Sequence, residues 1–232
     1  MRDRLPRALT FPFEDRGWLS KIVIGGALGL AVESLFVIVG FLLSRELALE
    51  ASPLALVINF PVLGFVFRTF QGALGTPQAE AMPEWRRWSD LFLKGLLLFV
   101  LCLGYGILPL LIISSGLGLL LRGGVALVLG LVMLLLGMLT GLTLGFFLPM
   151  AAARYLEERR VEAAFHPVLV WASIRKVLAE YLAAYLLGIA SFIGVGLIGA
   201  IPYLGALVWP FLTLYLLVVG ARLFGGICSG AA

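Results

Sequence analysis

The sequence predicts an all-α membrane fold: a bundle of about six transmembrane helices in three hairpins, with interfacial amphipathic helices on the cytoplasmic side. Three observations lead there. Hydrophobic residues make up 62% of the 232 and charged ones 13%, with a mean hydropathy of +1.09, against roughly one quarter charged in soluble domains. Apolar runs recur at about 22–43, 53–70, 91–113, 125–150, 181–200 and 203–223, each close to the ~20 residues that cross a bilayer as helix. With the N-terminus placed in the cytoplasm, all but two of the 17 Lys and Arg residues fall in cytoplasmic segments, Arg45 and Arg122 being the exceptions. That bias sets both termini on the cytoplasmic side. No interval between the runs could hold a folded soluble domain, so residues 1–232 are expected to form a single membrane domain.

The basic N-terminus precedes a run that is too long and glycine-rich for the core of a secretory signal, and no small-residue cleavage site closes it, so it is expected to be retained. Three aromatic and charged stretches precede apolar runs: Trp18 to Lys21, Pro83 to Gly95 with Trp85 and Trp88, and Trp171 to Lys176. On a helix each has one apolar aromatic edge and one charged edge, the pattern of a segment lying at a membrane surface. Trp18, Trp85, Trp88 and Trp171 are the expected interfacial anchors.

The first span carries Gly25, Gly26, Gly29 and Gly40, with Glu33 near its middle, and the charged link SRELALEAS follows. Pro53 opens the second span, and Pro61 inside it should kink the helix, since a proline there removes a backbone donor. Gln71 to Met82 is rich in Gly, Pro and small residues and is expected to be irregular. Span three has Pro109 near its far end, and a turn is expected over Ser114 to Gly124. Span four contains Gly130, Gly137, Gly141 and Gly145, and the last three give successive small-xxx-small steps, a surface for close helix contact. Arg154 to Lys176 is the most charged segment and is expected to hold a cytoplasmic helix or two. Spans five and six meet at a tight turn at Ile201 and Pro202, and Pro210 sits in the sixth as Pro61 does in the second. The matched proline spacing and the three anchors suggest a threefold hairpin repeat, although shared membrane grammar accounts for most of the likeness.

The segments FPFEDRGWLSKIVIGG, INFPVLGFVFRTF, MPEWRRWSDLFLKGL, FFLPMAAARYLEE and LTLYLLVVGARLFG resemble, in order, blocks of the prokaryotic membrane family named domain of unknown function 4013. In that family the first block runs into the Asn-containing block with little between, whereas here Ala27 to Pro53 is extra length. The resemblance implies a multi-pass prokaryotic membrane protein and brings no activity, substrate or catalytic residue with it.

Glu33 is the sharpest single residue, because a mid-span carboxylate costs about 2.5 kcal/mol or more unless paired, protonated or wet. Gly26 and Gly29 share its face, which points it into the protein, and Asn59 is the expected partner. The structural alternative is a protonated or hydrogen-bonded glutamate joining two helices. Arg159 and Arg160 beside Glu157, Glu158 and Glu162 read as a solvated face or a docking surface, and His166 before Pro167 as a capping or loop residue.

The excluded chemistry is wider. Basic residues spread over short loops form no stripe for nucleic acid. Cys102, Cys228 and the single His166 supply too few ligands for zinc. No nucleophile stands beside a base, and the Gly-Gly pairs lack the strand-to-helix setting of a phosphate loop. No cofactor or metal is expected, and the chain reads as a non-enzyme. The leading expectation is an accessory, scaffold or assembly subunit of the cytoplasmic membrane, packing against lipids, other subunits or its own copies. The alternative is a transporter or channel for a small solute, ion or lipid, with Glu33, Asn59, Pro61 and Pro210 around a midplane site.

Overall fold

A computed structural model describes residues 4–42, 52–75, 81–202 and 204–231, and of residues 32–42, 52–56 and 206 it describes the backbone alone. The described residues are helical with no strand among them: α1 (Arg4–Glu14), α2 (Trp18–Leu42), α3 (Ser52–Gly75), α4 (Trp88–Leu120), α5 (Val125–Glu158), α6 (Val161–Ala164), α7 (Pro167–Lys176), α8 (Leu178–Gly199) and α9 (Leu204–Cys228). Five helices, α3, α4, α5, α8 and α9, are long and apolar enough to cross a membrane over their described residues. α2 spans 25 residues and is as apolar in composition, though its described side chains end at Ala31. The fold is an all-α membrane bundle. Consecutive long helices touch, α2 with α3, α4 with α5 and α8 with α9, and both α2 and α3 pack more extensively on α9 than on each other.

The helices outrun the apolar windows that announce them. At 33 and 34 residues, α4 and α5 extend about 50 Å against a hydrocarbon core of about 30 Å. The expected turn over Ser114 to Gly124 is correspondingly short. Ser114 and Ser115 donate their hydroxyls to the carbonyl of Leu111 at 3.0 and 2.8 Å, so these polar residues stay inside the helix. The reversal falls at Gly123 and Gly124, whose φ of 68° and 56° lies in the region that only glycine enters without strain. α3 likewise runs on to Gly75, into the stretch expected to be irregular.

The chain divides into two compact units, Met1–Leu98 with Val177–Ala232, and Phe99–Lys176. In the first, α9 is the hub, packing on α1, α2, α3 and α8. Half of the most apolar window of α3 and 44% of that of α9 is buried, against 11% for α8. Glycines permit these approaches. A Cβ on Gly25 or Gly26 would collide with Leu214 or Phe211 of α9, and one on Gly225 would meet the Phe70 carbonyl of α3 at 2.7 Å. The tightest crossing joins α3 to the start of α4, where Gly64 lies against the Leu91 carbonyl and Gly95 against that of Phe60.

In the second unit α4 and α5 form an antiparallel hairpin along a small-residue seam. A Cβ on Gly130 would sit 2.8 Å from the Gly116 carbonyl, one on Gly137 3.1 Å from the Ile113 amide, and one on Gly141 3.5 Å from Pro109. Gly145 is half-buried. At Gly130, Gly137 and Gly141 the seam therefore serves a neighbouring helix of the same chain. α5 ends on Arg159, a non-glycine residue at φ 55° whose amide donates to the Tyr155 carbonyl at 2.8 Å. α7 opens on Pro167, and the His166 carbonyl before it accepts from Leu169 and Val170.

Candidate functional site

The polar chemistry of the first unit gathers where α1 and the link at 81–87 lie against the helix ends. Its centre is Asp15, 7% exposed. One carboxylate oxygen accepts from the Gly17 amide at 2.7 Å, the other from the Lys21 ammonium at 2.5 Å and the Met82 amide at 2.9 Å. Lys21 also donates to the Met82 carbonyl at 2.8 Å, and its own carbonyl accepts from the Trp85 indole at 3.0 Å. Burial pushes the Asp15 carboxyl up, but the Lys21 ammonium and the two amides outweigh it and hold the group below its ordinary value.

Trp85 stacks on Phe65, with ring centres 4.4 Å apart and planes within 10°. At 9% exposure it is a packing residue, whereas the sequence reading set it at the lipid-water boundary. Trp88 is 46% and Trp171 40% exposed. Trp18 is half-buried, edge-on to Phe13 at 4.9 Å.

α1 lies along the last turns of α9. Arg4 donates to the Gly226 carbonyl at 2.8 Å, Tyr215 donates to the Leu9 carbonyl at 2.9 Å, and the Arg222 guanidinium sits 4.6 Å over the Phe11 ring. Arg4 also pairs with Glu180 at 3.3 Å, and Asp90 takes Lys94 at 3.2 Å and Arg68 at 3.8 Å.

Deeper in the same unit is a cavity of about 370 Å³ between α2, α3 and α9, lined by Gly25, Gly29, Asn59, Trp209, Pro210 and Thr213 among others. Its walls are mostly apolar. The Thr213 hydroxyl oxygen is buried with no hydrogen-bond partner among the described residues. Asn59 and Pro210 thus border one space, and Gly29 abuts the Pro210 ring at 3.0 Å when given a Cβ. Pro61 lies in α3 two residues beyond Asn59 and Gly26 packs against Phe211. Glu33 lies on α2, with its side chain outside the described residues.

In the second unit, Arg154 reaches Glu158 and, at 3.5 Å, Ser173, while Arg160 pairs with Glu162 at 3.1 Å. No group of three or more His, Cys, Asp or Glu side chains that could hold a metal occurs among the described residues.

A family model described as Protein of unknown function (DUF4013) matches residues 51–204, about two thirds of the chain. The chain belongs to that family. No curated protein and no solved structure matches it. The DUF4013 stretch takes in the Asn-containing, Pro-Glu-Trp and Phe-Leu-Pro-Met-Ala blocks, and with them Asn59, Pro61, Trp85, Trp88, Gly137, Gly141, Gly145 and Trp171. Trp18, Gly26, Gly29, Glu33 and Pro210 fall outside it, as do the first and last blocks of the resemblance. Asp15 and Lys21 also lie outside, so the carboxylate node ties residues beyond the DUF4013 match to Met82 and Trp85 within it. Sequence reading missed Asp15: a carboxylate in the charged string EDRG carries no mark of burial, and Met82 is 67 residues away.

Proposed function

We propose that this protein is a non-catalytic accessory or assembly subunit of the prokaryotic cytoplasmic membrane, with both termini on the cytoplasmic side and lipids and other membrane subunits, or further copies of itself, as its partners. The observation that carries this is the contrast in burial between helices. The most apolar windows of α4 and α5 are only 11% buried although they are the longest helices, and Leu110, Leu117, Leu131 and Leu135 stand more than half exposed. Gly130, Gly137 and Gly141 of α5 are already used against α4, which leaves a broad Leu-rich surface for lipid or for other helices. The described ion pairs and buried hydrogen bonds tie the chain to itself, as a structural role requires. The fifteen cytoplasmic Lys and Arg support the orientation.

Photo-crosslinkers placed at Leu131 and Leu135 in native membranes test this reading. Defined protein adducts from both positions, absent when the probe replaces Leu93 near the start of α4, are expected. Adducts to lipid alone, with an isolated monomer in mild detergent, would overturn it.

One observation favours a second reading, a handler of small solutes, ions or lipids: the cavity of about 370 Å³ bordered by Asn59, Pro210 and Thr213. Under this reading, filling the space with Gly29→Leu abolishes ligand-induced change in Trp209 fluorescence.

A further inference from the structure

Beside the contact of α1 with α9 is a cavity of about 260 Å³ whose lining includes Arg4, Arg7, Arg222 and Ser229 and no carboxylate. Three guanidiniums around one space are a donor set for a phosphate, which guanidinium groups bind through paired N–H bonds; the Ser229 hydroxyl already donates to the Gly226 carbonyl at 2.9 Å. Two acids outside the cavity act on these arginines: Glu180 pairs with Arg4 at 3.3 Å, and Glu14, which accepts the Thr10 hydroxyl at 2.9 Å, still reaches Arg222 with its charge. Arg7 has no acidic partner among the described residues and is exposed. Arg222 also borders a second cavity, of about 150 Å³, with Arg68, whose guanidinium faces Asp90 at 3.8 Å.

A second feature distinguishes a lipid from free phosphate. Leu223 lines the arginine cavity and also an apolar groove between α1, α8 and α9, whose walls include Leu5, Leu9, Leu187, Leu216 and Phe224. Around α1, the arginine side therefore adjoins a leucine side, at the helix ends where headgroups meet acyl chains. We propose that Arg7 and Arg222, backed by Arg4, hold the phosphate of an anionic phospholipid whose acyl chain enters the groove between α8 and α9. This stands apart from both functional readings, because a scaffold and a transporter could each carry such a lipid.

The test is lipid binding to the full chain in neutral detergent, followed by native mass spectrometry, with phosphatidylglycerol, phosphatidylcholine and inorganic phosphate as probes. Phosphatidylglycerol should bind more tightly than phosphatidylcholine, and Arg7→Gln and Arg222→Gln should each reduce that preference roughly fivefold, as expected for one cation at a charged membrane surface. Arg7 is exposed, so its variant keeps the test intact should Arg222→Gln fail to fold. Arg87→Gln, elsewhere on the basic surface, should leave the preference unchanged. Equal binding of the two lipids, an equal loss in Arg87→Gln, or displacement of the lipid by millimolar inorganic phosphate would each overturn the assignment.

Discussion

Gly95 lies so close to Phe60 that a Cβ on the glycine would fall on the phenylalanine's carbonyl oxygen, and Gly64 stands in the same relation to Leu91. Two helix backbones meet here with nothing between them, the approach that small residues allow in membrane bundles. Gly95→Ala and Gly64→Ala should each cost about 3 kcal/mol, at the upper end for an overfilled interior, because a backbone cannot move aside as a side chain can. Gly72 has nothing within 4 Å of its would-be Cβ, and Gly72→Ala should be neutral or stabilising by up to about 1 kcal/mol. Thermal unfolding in detergent, followed by tryptophan fluorescence, separates the two cases.

Asp15 should make the first unit acid-sensitive. Its carboxyl titrates below the ordinary 3.8 because its charged form is bound by Lys21, Gly17 and Met82 despite the burial. A depressed folded-state value means the stabilisation is complete above pH 3.8 and is lost as pH falls through the lowered value. Asp15→Asn removes that step and leaves the Lys21 ammonium with the Met82 carbonyl but no counter-charge, at a cost of about 2 kcal/mol near neutral pH. Melting temperature against pH, wild type beside variant, should show two curves that converge as the solution becomes strongly acidic.

The long helices were legible because lipid imposes one demand, apolarity over about 20 residues, that a single segment satisfies alone. Gly137 and Gly141 were legible for a related reason: spacing along one helix marks a face. Gly64 and Gly95 were not, since neither has another glycine four residues away to mark a face and their partnership exists only once α3 crosses α4. Trp85 and Trp88 look alike in sequence. The difference between them comes from Phe65 and Lys21, on two other helices, and no local pattern encodes it. The end of α4 ran past expectation for a simpler reason: the Ser114 and Ser115 hydroxyls bond back to the Leu111 carbonyl at 3.0 and 2.8 Å, so these polar residues stay helical.

The two neighbouring tryptophans should therefore respond unequally to the same change. Trp85→Phe keeps a ring over Phe65 but loses the indole bond to the Lys21 carbonyl, a loss of about 1–2 kcal/mol with that carbonyl left in a partly buried site. Trp88→Phe, at 46% exposure, should move stability by about 0.5 kcal/mol or less. Urea titration of both variants in the same detergent checks the ratio; equal effects would contradict the burial of Trp85.

Arg159 ends α5 in a left-handed conformation, φ 55° and ψ 25°. A side chain there costs about 1 kcal/mol relative to glycine. Its neighbour Arg160 is paired with Glu162, so the guanidinium of Arg159 can be removed without breaking that pair. Arg159→Gly should raise stability by about 1 kcal/mol, and Arg159→Val should lower it by more, because a branched Cβ is least tolerated at positive φ. Hydrogen exchange at the Tyr155 to Arg159 turn would register both changes locally.

The Thr213 hydroxyl offers the clearest separation between a packing role and a binding role for the cavity beside Asn59. A buried hydroxyl without a partner forgoes its hydration, and replacing it by a methyl group of the same shape should return about 1–2 kcal/mol. Thr213→Val is therefore expected to raise the melting temperature of the empty protein. If the cavity binds a solute through that oxygen, the same variant should gain stability alone and lose it relative to wild type when the solute is present, since only the wild type gains from mass action. Melting curves over a panel of small amphiphiles read both halves at once: a stabilised variant with no ligand-dependent reversal assigns the cavity to packing, and a reversal identifies the molecule that fills it.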